Sequence, residues 1–151
     1  MWQAYLATLP PDERPQHAKV SASVAGDKRN ADELLQLYLS GKKTAASSLL
    51  RDYHKSGDPV PAEGYYWIIL DSKEDPKCIV RTVRVEMFPF ENVPYRVAKA
   101  EGEGDGSIEF WRKSHGEFFQ PYLKELGITD LNKEKVVTEF YDVVFTFKNL
   151  T

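Results

Sequence analysis

Residues 100–111 read AEGEGDGSIEFW, in which Glu101, Glu103 and Asp105 alternate with Gly102, Gly104 and Gly106. Such a stretch suits a metal loop, a phosphate loop, a pair of catalytic acids or the acidic start of a helix. A phosphate loop offers backbone N–H groups and a Lys; three carboxylates repel phosphate, and GxGxxG is absent. An EF-hand loop carries an early Asp/Asn series and a terminal bidentate Glu, which this stretch lacks. A Mg²⁺ or Mn²⁺ site at Glu103 and Asp105 is allowed, since hard cations take carboxylate oxygens. The reading the stretch favours by itself is a helix start. Asp105 and Ser107 can cap, and negative charge at a helix N-terminus is stabilising by about 0.3–1 kcal/mol.

Other reactive residues are scattered. Lys42-Lys43-Thr44 precedes Ser47-Ser48, which suits either a Ser–Lys nucleophile pair or serines capping a helix. His17, His54 and His115 show no HxxxH spacing, and Cys78 has no CxxC partner, so no structural zinc is expected. His115 falls near the inner face of a long helix and reads as a satisfied core histidine. With one cysteine the chain forms no internal disulfide, which fits a reducing, cytoplasmic setting.

The elements that must position these residues follow from periodicity. Residues 1–26 read as a loop-rich N-terminal extension with Trp2 and Tyr5 as anchors. Asn30 can cap a helix over 31–40 that buries Leu34, Leu37 and Tyr38 and stops at Gly41. Residues 45–54 read as a second helix, burying Leu49, Leu50 and Tyr53. Strands are expected over 65–70 and 78–87, joined by the turn 71–76 and ended by Pro89. A short helix over 92–100 precedes the glycine-acid stretch. A long helix follows from Ser107 to about Leu126, with Ile108, Trp111, Phe118, Phe119, Tyr122 and Leu126 on one face. A final strand covers 136–147. Within the strands, Arg81 and Glu139 each share a face with apolar residues. A buried charge needs a partner, so the two pair, or a bulge swings one outward, or they face a ligand.

The whole chain of 151 residues fits one domain of ordinary composition, with 42% hydrophobic and 28% charged residues. No apolar run approaches a membrane span, and the N-terminus has no signal-peptide pattern. A net charge of -3 argues against extended duplex DNA binding, which needs clustered Lys and Arg.

Several segments taken in order resemble the ASCH family, in its stand-alone bacterial members of about this length. They are Ala25-Gly26-Asp27, Ala31-Asp32-Glu33-Leu34, SGKKTAASSLL (40–50), AEGEGDGSIEFWRKSHGEFF (100–119) and TEF (138–140). The resemblance covers nearly the whole chain. It implies an α+β fold, a PUA-like mixed β-barrel with flanking helices, and a cleft suited to RNA or a nucleoside. Small ASCH proteins include amidohydrolases that deacetylate N4-acetylcytidine, and cleavage of single-stranded RNA is also associated with the family. In the amidohydrolase pattern the Lys falls on Lys43 and the Glu on Glu101. The Thr nucleophile position falls on Ala46, which has no nucleophilic oxygen, and the Arg position falls on Ser48.

Lys43 and Glu101 are therefore the expected catalytic or central residues. Lys42, Thr44, Ser47, Ser48, Arg81 and Trp111 are the expected ligand contacts, Arg81 for phosphate or carbonyl and Trp111 for stacking. The expected role is binding of RNA or a modified nucleoside or nucleotide in this cleft. Amidohydrolysis of N4-acylated cytidine ranks second, with Thr44, Ser47 or Ser48 in place of the missing Thr. A metal-dependent ribonuclease using Glu103 or Asp105 ranks third. No cofactor is expected otherwise.

Overall fold

In the computed structural model, residues 1–147 are described. Strands β1 (Val20–Val24), β2 (Ala45–Leu49), β3 (Tyr66–Leu70), β4 (Pro76–Pro89) and β5 (Lys135–Thr146) form one sheet in the order β1-β3-β4-β5-β2. The sheet curls into a half-barrel. The β1–β3 ladder is parallel and the others are antiparallel. Helices α1 (Trp2–Ala7), α2 (Ala31–Leu39), α3 (Leu50–Ser56), α4 (Tyr95–Glu101) and α5 (Ile108–Phe119) flank it. The expected α+β class with a mixed, barrel-like sheet and flanking helices is observed, the barrel being a curled half-barrel. No helix among the described residues is long and apolar enough to cross a membrane.

Three apolar clusters hold these layers together. Val93, Val97 and Trp111 pack with Phe140 and Val136 between α4, α5 and the sheet. Leu34, Leu35 and Tyr38 of α2 meet Ile69, Val80 and Tyr141 of the sheet. Tyr5 packs on Tyr66 and Phe145, with Trp2 against the same group, so the two expected anchors do pack down.

Four sequence expectations need correction. Residues 1–26 are more than a loop, since they supply α1 and the edge strand β1. The expected helix over 45–54 is instead β2 followed by α3. AASSL has no strong helix stripe, and pairing with β5 overrides the alanines' helix preference. The long helix stops at Phe119, and Gln120–Tyr122 is a 3-10 turn; Pro121 lacks the N–H that would continue the ladder. Phe118, still within α5, and Tyr122, beyond it, are each 50% exposed, not inward. Asn30 caps no helix N–H; its side-chain oxygen accepts from Asp27 N at 2.8 Å instead.

Arg81 and Glu139 do not pair. The β4–β5 register shifts at Ile79/Val80 and Thr82/Arg84, which leaves Arg81 exposed while Glu139 stays partly buried. The bulge is thus the alternative that the structure selects.

Candidate functional site

The site begins where the chain leaves α2. Lys43 N donates to Leu37 O at 2.9 Å, Thr44 N to Ala100 O at 2.7 Å, and Tyr141 N to Thr44 O at 2.8 Å. These bonds tie the Lys43 backbone to α2, to α4 and to β5 at once. Glu101 is the last residue of α4, and Gly102 follows in the left-handed region at φ +64°. A side chain at Gly102 would place its Cβ 2.0 Å from the Lys42 carbonyl oxygen. Glycine is required there because the two backbones touch. The same turn brings Glu103 around to the other side of Lys43.

Lys43 and Glu101 are 4% and 2% exposed. The Lys43 ammonium donates to Glu101 Oε1 at 3.3 Å, to the Glu101 carbonyl at 3.5 Å and to Glu103 Oε2 at 3.0 Å. It also lies over the Tyr38 ring, 5.5 Å from the centroid. Glu101 Oε1 accepts further from His115 Nε2 at 3.1 Å, and Oε2 accepts from Ser47 Oγ at 2.8 Å and from Trp111 Nε1. Four donors fill the four acceptor positions of one carboxylate. Ser47 Oγ is also 2.7 Å from Thr138 Oγ1, directly across the β2–β5 ladder.

His115 faces the Trp111 carbonyl with Nδ1 at 3.0 Å and Glu101 with Nε2. Its ring stacks on Trp111 at 4.2 Å with 15° between planes. Both partners accept, so an imidazolium donates to both at once.

Burial alone would push the Glu101 carboxyl up. The His115 and Lys43 charges and the Trp111 N–H outweigh it, and the carboxyl falls from 4.5 to about 2. Burial, with the carboxylates Glu101, Glu103 and Glu139 nearby, keeps Tyr38 well above the usual phenol range. The Tyr38 hydroxyl is buried and has no hydrogen-bond partner among the described residues.

Over this cluster opens a cleft of about 680 Å³, within the size range of small-ligand sites. Aromatic rings of Tyr53, Tyr65, Trp67, Phe118 and Tyr141 line it. Four carboxylates, Asp58, Glu101, Glu103 and Glu139, stand on its wall against two lysines, Lys19 and Lys43.

Of the sequence-expected residues, Lys43, Glu101, Ser47 and Ser48 lie on this wall together. Lys42, Thr44, Arg81 and Trp111 do not. Lys42 and Arg81 are solvent-exposed. The exposed Thr44 hydroxyl donates to Ala100 O at 3.3 Å. Trp111 is 2% exposed, behind Glu101, where it cannot stack on a ligand. The suggested metal pair, Glu103 and Asp105, is otherwise engaged, with the Glu103 carboxylate bonded to Lys43. Asp105 accepts from Ser107 N at 2.9 Å, and Ser107 caps α5 by accepting from Phe110 N. The group of described residues whose ligand atoms could meet on one ion is Glu101, Glu103 and His115. The Lys43 ammonium already bonds the two carboxylates of this group, at 3.3 Å from Glu101 and 3.0 Å from Glu103. A metal would have to displace it.

His115 and Thr138 were missed as site residues, and Glu139 was raised only as one that pairs with Arg81, is swung out by a bulge or faces a ligand. For His115 a signal existed, since it lies one helical turn after Trp111 on the same face. Glu139 stood out as a charge on an apolar strand face. Thr138 lay in the TEF segment of the resemblance, but nothing in it assigned the hydroxyl a role.

A curled five-stranded sheet with a polar cluster under its open side defines a PUA-like half-barrel domain. The model of the ASCH domain matches residues 21–145, and the chain belongs to that family. Among solved structures, the ASCH domain from Lactobacillus crispatus is similar at 29% identity and a TM-score of 0.87, covering 94% of this chain and 90% of that one. Protein EF3133 from Enterococcus faecalis, of family DUF984, is also 29% identical, with a TM-score of 0.81 and coverage of 99% and 88%. A ZmASCH mutant from Zymomonas mobilis, 12% identical with a TM-score of 0.51 over 82% of this chain and 66% of that one, shares the fold. No curated protein matches the sequence.

Proposed function

We propose that this chain binds the base of a nucleoside, free or in unpaired RNA, in the cleft above Lys43. The observation that carries this reading is convergence: aromatic rings that can stack on a base surround fixed polar groups on one wall. Four carboxylates against two lysines make that wall a poor cradle for phosphates and a better one for a base edge rich in N–H donors. Among the described hydrogen bonds the Glu103 carboxylate bonds Lys43 alone, and it stays partly exposed, so it has acceptor capacity left for a ligand. Titration with nucleosides and short single-stranded RNA, followed by amide NMR, tests the reading. Shifts concentrated at Lys43, Glu103, Trp67 and Tyr141 are expected. A flat response across the panel contradicts it.

The second reading is amidohydrolysis of N4-acylated cytidine. The bond from Ser47 to Glu101 favours it, because a hydroxyl next to a carboxylate and a Lys is the arrangement of an activated nucleophile. Binding ranks first because Glu101, saturated with donors and held at about 2, is a weak proton acceptor at neutral pH. Release of acetate from N4-acetylcytidine that disappears in Ser47→Ala would reverse the ranking.

A further inference from the structure

Glu139 stands apart from the cluster around Lys43. It lies on β5 between Ala46 of β2 and Val85 of β4, neither of which offers a polar group. Its partners are two neutral hydroxyls: Thr82 Oγ1, which donates to Oε2 at 2.8 Å, and the Tyr141 phenol. Among the described residues no cation pairs with it. The other ionisable groups felt around it are the phenols of Tyr38, Tyr53 and Tyr141. A partly buried carboxylate without a cation is costly, and such a group on a cleft wall is a recognised mark of a binding site. Thr82 and Tyr141 hold it on the wall of the cleft that Trp67 also lines, the Trp67 ring lying 5.7 Å from that of Tyr141.

Building on the nucleoside-binding reading, we infer that Glu139 is the specificity-determining acceptor of the cleft and selects bases with an exocyclic amino group over uracil. A carboxylate accepts readily from an amino group such as cytosine N4. Uracil offers a single N3–H flanked by two carbonyl oxygens, which a carboxylate repels. Cytidine and uridine share ring size and sugar, so their comparison isolates this contact.

Calorimetric titration of the intact chain with cytidine, adenosine, guanosine and uridine tests it, alongside Glu139→Gln. The parent should bind cytidine at least about tenfold more tightly than uridine, the discrimination one good polar contact supplies. In Glu139→Gln the ratio should fall to about threefold or less, because an amide both donates and accepts. Uridine binding within about twofold of cytidine in the parent overturns the inference and leaves the cleft reading intact. So does an unchanged ratio in a folded Glu139→Gln. If that variant does not fold, the parent's ranking still decides. Failure of all four nucleosides to bind removes the nucleoside reading itself, and this inference with it.

Discussion

Glu101 takes hydrogen bonds from Lys43, His115, Ser47 and Trp111, and so fixes the orientation of four side chains from three segments: the loop after α2, β2 and α5. Its chemistry is that of an anchor. Glu101→Gln should be severe, because an amide nitrogen would then face at least one donor and leave the Lys43 charge short of compensation. The expected loss is about 3–5 kcal/mol, the range for breaking a buried ion pair, measured by urea unfolding. The lowered carboxyl also sets an acid limit. Its stabilisation is fully present above about 4.5 and is lost as pH falls toward about 2, so the parent's melting temperature should drop across that window. Glu139 has the opposite sign, since burial raises its carboxyl and its ionised form opposes folding at neutral pH. Glu139→Gln is therefore expected to melt at or above the parent's temperature at pH 7, which separates a recognition role from a structural one.

At the scale of elements, the AEGEGDG turn is what joins the two acids to Lys43. Gly102 lets the backbone press on the Lys42 carbonyl, and the ring of Phe110 packs where a Gly104 side chain would stand, 2.6 Å away. Gly102→Ala meets both a left-handed backbone and a backbone clash, so it should destabilise by more than about 1 kcal/mol and disturb the Lys43 cluster. An unfolding midpoint equal to the parent's would contradict that placement. The helix start at Asp105 and Ser107 was legible because capping is a local interaction. So were the chain positions of β3, β4 and β5, from their apolar runs. The strand character of AASSL was not, since it depends on β5, some ninety residues later. The bulge that expels Arg81 was offered only as an alternative, because register is decided by tertiary pairing. Lys43 and Glu101 were picked out through family resemblance. Residue spacing alone leaves them 58 positions apart with no stated reason to meet.

Across the whole molecule, an acidic chain curls its sheet around an aromatic cleft with a net excess of carboxylates. Recognition through a base, with few phosphate contacts, should depend little on salt. The log–log slope of RNA affinity against salt is expected to be shallower than about −1.4, the value for two phosphates neutralised on a single strand. Fluorescence anisotropy with a labelled oligonucleotide measures it, and a slope several times steeper would point to a backbone-binding surface instead. The most direct test of the central claim is a crystal structure of the chain soaked with cytidine. A base is expected beside Trp67 and Tyr141, with its polar edge toward Glu103 or Glu139. A nucleoside bound elsewhere, or an unoccupied cleft at saturating concentration, would contradict it.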